Sequence, residues 1–289
     1  MSKYYVLYNP LAGNKKCGSE IKKIEAFLDG ETVYCNMTKS ETYSDVLPNM
    51  TEGDKLVVCG GDGTLNRFIN LPYDYSEKND ILYFPMGSGN DFAHELGYKY
   101  GDKPFDITKY LKNLPVVTVN GKEHRFLNGI GYGIDGYCCE VGDRLRETTE
   151  GSINYTSIAI KGLLFHYKPT GATVTVDGKK YSFKKVWLAP TMNGKFYGGG
   201  MMPTPDQDRT SGKLSVMVYH NLGKLRALMI FPSIFKGEHV KHKKNIAVLE
   251  GKNIKVEFDR PTPLQIDGET ILGVSSYTAE SEVKENVNA

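Results

Sequence analysis

An aspartate enclosed by glycines marks the stretch of this sequence richest in chemistry. Gly60-Gly61-Asp62-Gly63-Thr64-Leu65-Asn66 directly follows the apolar run Leu56–Cys59 and directly precedes an apolar pattern with helical spacing. Three glycines let backbone N–H groups approach an anion that no Cβ would allow, and the following helix N-terminus adds its positive dipole end. The pattern is that of a phosphate cradle. Its acid is the odd element, because a carboxylate facing polyphosphate is repulsive unless a cation or a sugar hydroxyl lies between them. A Mg2+-nucleotide is the natural partner. The competing reading is a glycine-rich turn in which Asp62 only caps a helix.

A second loop of the same design follows the run Ile81–Phe84: Pro85-Met86-Gly87-Ser88-Gly89-Asn90-Asp91-Phe92-Ala93. Ser88 and Asn90 can offer side-chain hydrogen bonds, while Asp91 is either a functional acid or the cap of a helix beginning at Phe92. A third element, Asn9-Pro10-Leu11-Ala12-Gly13-Asn14, ends the first apolar run and carries no acid; alone it is only a turn.

These loops need strands to hold them. Tyr4–Tyr8, Thr32–Cys35, Leu56–Cys59 and Ile81–Phe84 are short apolar or β-branched runs closed by Gly, Pro or Asn, with Ile21, Ile24, Phe27 and Leu28 at helical spacing between the first two. Such alternation predicts parallel strands with crossover helices, and loops at the carboxyl ends of neighbouring strands are where an open α/β sheet binds ligands. Residues 1–115 therefore read as an α/β nucleotide-binding domain with an open, mostly parallel sheet.

After a helical pattern at Ile107–Leu114 the texture changes. Turn dipeptides at Asn120-Gly121 and Asp177-Gly178 separate strand candidates at Val116–Val119, Ala172–Val176, Val186–Ala189, Leu214–Tyr219 and Ile254–Phe258. Residues 116–289 read as a β-rich, sandwich-like domain with helical inserts at Ile153–Phe165 and Lys224–Phe235. Its polar tail, Ser281–Ala289, is expected to fray or to pack back on the first domain.

Composition narrows the classes. The chain has 289 residues, is 40% hydrophobic and carries a net charge of +2, which gives a core-forming globular chain with no global field for nucleic acid. The five cysteines include no C-x-x-C pair, which fits reduced thiols and a cytoplasmic setting. No run of 18 apolar residues is present, so no span is encoded, although work on a membrane surface stays open.

Taken in order, Asn9-Pro10-x-Ala12-Gly13, the Gly60–Asn66 loop and the Pro85–Ala93 loop resemble the nucleotide motifs of the diacylglycerol kinase catalytic family of lipid kinases, which includes bacterial diacylglycerol kinase-like proteins and sphingosine and ceramide kinases. Further matches are Asn128-x-x-Gly131-x-Gly133-x-Asp135, Asn193 through Gly198-Gly199-Gly200-Met201, and Asp267-Gly268-Glu269. The resemblance implies a nucleotide domain, a β-rich lipid domain and a cleft between them holding Mg·ATP and a lipid hydroxyl. Carried over by position, Asn9, Gly13, Gly60, Gly61, Asp62, Gly63, Thr64, Asn66, Gly87, Ser88, Asn90 and Asp91 bind the nucleotide. Asp62, Asp91 and Asp135 reach Mg2+ through water. Asp267 is the general base, and Glu269 and Asp62 complete the catalytic set.

A strand running through Gln265-Ile266 into Asp267-Gly268-Glu269 would present two acids at a rim. An ionised aspartate that orients a hydroxyl suffices for phosphoryl transfer. Without the other motifs, Asp267-Gly268 is a plain hairpin turn. Where the family commonly has Asp-Gly, whose Asp holds a second, structural Mg2+ in some members, this chain has Ser211-Gly212; Asp206 or Asp208 is the alternative ligand, and that metal is not expected.

Two motifs are read as decoys. Gly131-Tyr132-Gly133-Ile134-Asp135-Gly136 satisfies G-x-G-x-x-G but does not follow an opening strand, and Gly13–Ser19 has a P-loop outline without its lysine. The basic segment Lys236–Lys244 is either a solvated face or an attraction for anionic headgroups.

The expected activity is transfer of the ATP γ-phosphoryl group to a lipid hydroxyl at a membrane surface, diacylglycerol giving phosphatidic acid. The alternatives are a soluble-metabolite kinase of the NAD kinase type and a non-catalytic nucleotide-binding regulator. Peripheral membrane association and a homodimer belong to the same expectation.

Overall fold

The computed structural model describes residues 3–39, 47–71, 79–148 and 155–281. The chain divides into two compact units, Met1–Lys112 and Asn113–Ala289. The start of the helix predicted at Ile153 and the tail from residue 282 onward lie outside the described residues.

In the first unit, strands β1 (Lys3–Tyr8), β2 (Glu31–Asn36), β3 (Lys55–Gly60), β4 (Ile81–Pro85) and β5 (Phe105–Asp106) form one sheet in the order β2-β1-β3-β4-β5. The first four run parallel and only β5 is antiparallel. Near-continuous burial of β3 fits a strand covered on both faces. The order reverses direction between β1 and β3, the kind of switch point beside which open α/β sheets bind ligands.

Helix α1 (Lys16–Glu20) leads into a 3-10 helix at Ile21–Phe27. The helical segment takes this tighter form: a spacing of three brings Ile21, Ile24 and Phe27 onto one stripe at three residues per turn. Ile21 and Ile24 are buried, while Phe27 lies at the rim with its ring 6.2 Å from that of Phe84. Helices α2 (Asp62–Ile69), α3 (Asp91–Glu95) and α4 (Thr108–Leu111) complete the unit.

The second unit is antiparallel and β-rich, sandwich-like, as expected. Strands β6 (Val116–Val119), β7 (Lys122–Arg125), β8 (Gly129–Tyr132), β9 (Thr170–Val176), β10 (Lys179–Val186), β11 (Thr191–Met192), β12 (Leu214–Tyr219), β13 (Ile246–Gly251), β14 (Asn253–Ile266) and β15 (Glu269–Glu280) belong to one system. Strand β14 is its spine. Its first half pairs with β9, its second half with β8, and β15 follows it along both halves, with register shifts between Glu257 and Leu264. A strand that changes partner at such irregularities bends the sheet around its own core.

That core includes Phe126, Tyr132, Val174, Val216, Val256 and Tyr277. Asn120-Gly121, Asp177-Gly178 and Asp267-Gly268 all have positive φ at both positions, the geometry of two-residue hairpins. The run Val186–Ala189 is not a strand, a correction: β10 ends at Val186 and Leu188 makes only isolated bridges to Gly133 and Tyr219.

Helices α5 (Ile134–Thr148), α6 (Tyr155–Lys161) and α7 (Lys224–Ile230) pack around a separate cluster that contains Trp187 and Leu163. The insert predicted as one helix through Phe165 ends in a π-helical turn at Gly162–His166, and the one predicted through Phe235 ends in a 3-10 helix at Phe231–Lys236.

Candidate active site

The two glycine loops of the first unit touch backbone to backbone. A Cβ on Gly87 would lie 2.2 Å from the Gly61 Cα, and one on Gly61 would lie 2.8 Å from the Gly87 Cα. Gly13, at φ +60°, leaves no room either, since a Cβ there would sit 2.5 Å from the Met86 carbonyl oxygen. Gly60, the last residue of β3, is required by the helix that follows it, where Thr64 fills the space a side chain would occupy.

Asp62 locks this contact. Its Oδ2 accepts the N–H of Asp91 at 2.9 Å and its Oδ1 accepts that of Phe92 at 3.0 Å. The carboxylate therefore caps α3 from the other loop, where anionic charge is favoured. Both cap readings change: Asp62 caps the helix after β4 and not its own, while α3 begins at Asp91 and not at Phe92.

Asn90, at φ 49°, turns its side chain inward: Oδ1 accepts from Gly87 N at 2.9 Å and Nδ2 donates to Gly87 O at 2.7 Å. The buried Tyr83 hydroxyl donates to the Gly60 carbonyl at 2.9 Å and lies 3.3 Å from Asn90 Oδ1, so one phenol secures both loops. Burial raises its pKa well above the usual phenol range and keeps it a donor. In the sequence Tyr83 is only a strand residue.

Beside the loops opens a pocket of about 460 Å3 lined by Gly13, Gly87, Ser88, Gly89 and Asn90 together with Lys16, His94, Lys99 and two tyrosines, Tyr98 and Tyr100. Its volume suits a nucleotide-sized ligand. Of the predicted nucleotide residues, Gly13, Gly87, Ser88 and Asn90 line it; Asn9, Gly60, Gly61, Asp62, Gly63, Thr64, Asn66 and Asp91 do not. Thr64, Asn66 and Asp91 are buried, and Asn9 Oδ1 accepts the Leu11 N–H at 3.0 Å. Lys16 and Lys99 are cations that the motif reading missed, because no fixed spacing announces them.

The remaining predicted acids belong to the second unit. Asp267, at φ 46° in the turn between β14 and β15, is buried and accepts three backbone N–H bonds: Leu127 to Oδ2 at 2.5 Å, Asn128 and Gly129 to Oδ1, each at 2.9 Å. Its own N–H returns to the Gly129 carbonyl at 3.0 Å. The donor segment is braced in turn by Asn193 Nδ2 on the Leu127 carbonyl at 2.9 Å and by Arg209, which reaches that carbonyl at 3.1 Å and Asn128 Oδ1 at 3.2 Å. Asn128 and Asn193 thus serve the setting of Asp267, and Arg209 joins them unannounced by any motif. Glu269 is exposed at the start of β15.

Asp135 is buried in the first turn of α5, where the Tyr197 hydroxyl donates to its Oδ2. Burial pushes its carboxyl up to about 7, against the opposing effect of that hydrogen bond. The three glycines of the decoy motif are packing devices here: Gly131 and Gly133 face Gln265 and Trp187, and a Cβ on Gly136 would fall 1.8 Å from the Pro263 carbonyl oxygen. Around Ser211, Gln207 ties the segment together, its Nε2 donating to the Lys213 carbonyl at 2.9 Å and its Oε1 accepting from Ser215 Oγ at 2.5 Å.

Among the described residues no group of three or more His, Cys, Asp and Glu gathers as a metal site. The donor chemistry nearest to a cation is the Asp62 carboxylate at the junction of the two loops, an oxygen ligand of the kind a hard cation takes through water.

Two family models match the chain. The model of the diacylglycerol kinase catalytic domain matches residues 3–118, and that of the YegS C-terminal NAD kinase beta sandwich-like domain matches residues 128–283. The chain belongs to the diacylglycerol kinase catalytic family, and it is a phosphotransferase with an alcohol acceptor, a lipid kinase of the diacylglycerol kinase-like type. It is 25% identical over 281 residues to a diacylglycerol kinase of Bacillus subtilis (strain 168), covering 93% of this chain and 90% of that one. It is 23% identical to the YtlR protein of the same organism, with 97% of each chain covered. In fold it is similar to a diacylglycerol kinase structure from Bacillus anthracis str. Sterne, with a TM-score of 0.61, 20% identity and coverage of 96% and 93%. A kinase of this family implies ATP as co-substrate.

Proposed function

We propose that this chain transfers the γ-phosphoryl group of ATP to the hydroxyl of diacylglycerol, giving phosphatidic acid. The observation that carries the reading is the bare Gly61–Gly87 contact clipped by Asp62, next to a nucleotide-sized pocket with two lysines. Backbone amides of the two loops and the Lys16 and Lys99 ammonium groups meet the phosphates, and Tyr98 and Tyr100 offer faces to the base. Asp62 and Asp91 would hold Mg2+ through water, and that ion supplies charge neutralisation on the phosphate tail when bound. A role for Asp135 toward the ion is carried by the family resemblance.

Asp267 is assigned the acceptor hydroxyl. Its three amide bonds fix both oxygens in place, and a carboxylate so held can orient a hydroxyl and take its proton. A loose phosphoryl-transfer transition state asks for orientation more than for a strong base. Glu269 stands beside it as a second acid at the strand end.

The test is product analysis with Mg·ATP and a panel of diacylglycerol, phosphatidylglycerol, sphingosine, a polyprenol and NAD. A single phosphorylated product from diacylglycerol is expected. Phosphorylation of NAD would move the chain to the soluble-metabolite kinases, and ATP binding without product from any acceptor would make it a regulator.

A further inference from the structure

Helix α7 has two faces of opposite character. Ala227 and Ile230 are buried in the cluster around Trp187, whereas Leu225 and Met229, one turn apart, are 74% and 73% exposed. The π-helical turn Gly162–His166 lies against this helix, with Lys224 Nζ donating to the Leu164 carbonyl at 2.8 Å, and its Phe165 is 71% exposed. These are the three most exposed large apolar side chains among the described residues, and they stand on two adjoining segments.

The stretches of chain that carry them are lopsided in charge. Residues 155–168 and 222–244 carry eight lysines and arginines against one acid, Glu238, while the whole chain has a net charge of only +2. All eight cations are exposed, and Glu238 is already paired with Lys241 at 3.1 Å.

We infer that this face is a docking surface for an anionic lipid bilayer. Leu225, Met229 and Phe165 enter the boundary between headgroups and acyl chains, and the cations of the same two segments lie on lipid phosphates, their methylene stems against the same apolar boundary. A second copy of this chain fits worse, since a shared face would oppose the same cations. The inference rests on the lipid-kinase reading for its purpose, since an acceptor dissolved in a bilayer must be approached there; its observations are separate from the nucleotide loops.

Sedimentation with vesicles tests it. The parent protein should bind phosphatidylglycerol–phosphatidylcholine vesicles, at least about tenfold more tightly than phosphatidylcholine alone, with the difference shrinking as salt rises. Leu225→Glu with Met229→Glu should weaken binding to the anionic vesicles by about tenfold or more, with an unchanged melting temperature because both side chains stand in water. Equal binding by parent and variant, or no binding by the parent, would overturn the docking surface. If sedimentation velocity instead gives a parent dimer that the variant loses, and neither binds vesicles, the face belongs to a second copy and the inference is equally overturned. Phosphorylation of a dispersed short-chain diacylglycerol should be the same in both proteins. Vesicle binding with no phosphorylated acceptor would remove the proposed function and leave the docking surface standing.

Discussion

A methyl group placed on Gly87 would sit 2.2 Å from the Cα of Gly61, so the loops after β3 and β4 meet at a point where neither can carry a side chain. Gly63, two residues along, has open space for 4 Å around the place a methyl would take. Gly61→Ala and Gly87→Ala should each cost about 1–3 kcal/mol of stability and weaken ATP binding, whereas Gly63→Ala should be near neutral in stability. Urea unfolding and nucleotide titration of the three variants check this; equal behaviour of all three would remove the contact from the site.

Asp62 bonds two amide donors with two oxygens, and asparagine can accept with only one. Asp62→Asn should therefore lose about 1–2 kcal/mol in protein free of nucleotide, as well as at least about tenfold in turnover. Loss of turnover with unchanged unfolding would show that the helix cap is not what the carboxylate provides.

For Asp267, the amide nest and the acceptor role predict a sharp contrast with its neighbour. Asp267→Asn should cut kcat by about 10²-fold or more with little change in the KM for ATP and should also lose about 1–2 kcal/mol of stability, since one amide of the nest then faces an NH2 group, while exposed Glu269→Gln should cost less than about tenfold. Steady-state kinetics on both variants decide it, and similar rates for Asp267→Asn and the parent would withdraw the assignment.

Asp135 predicts a pH dependence. Between the ordinary carboxyl value of 3.8 and about 7, the folded chain holds a proton here that the unfolded chain releases. This group's contribution to stability therefore falls as pH rises through that window and is constant above it. Asp135→Asn should flatten that fall, so that the variant gains melting temperature over the parent at pH 8 more than at pH 5 in metal-free buffer. A parallel shift at both values would contradict the buried neutral acid.

Lys16 and Lys99 line the pocket and are both exposed. Changing either to alanine should raise the KM for ATP several-fold at low salt and less at high salt, with kcat largely kept. A salt-independent effect would point to packing instead.

How much of this was legible in the sequence depended on the range of the interaction. Strands β1, β3 and β4 and the turns at Asn120-Gly121 and Asp177-Gly178 follow from local pattern, because apolar runs and positive-φ dipeptides are local facts. Helix α5 was not legible: Gly133 stands at its entrance and Gly136 in its first turn, poor helix formers that are present because the backbone runs against Trp187 and Pro263. The acids could be named from motifs, but not their partners. The donors on Asp267 lie about 140 residues away in sequence, and the function of Tyr83 as a clasp depends on two loops meeting in space.

That clasp has a thermodynamic consequence. The Tyr83 hydroxyl on Gly60, the Asn90 amide on Gly87 and the Asp62 carboxylate on α3 tie the two glycine loops to each other through bonds supplied by the chain itself. On the proposed function, nucleotide capture by loops fastened in this way requires little loss of chain entropy, and their amide protons should exchange slowly even without ATP.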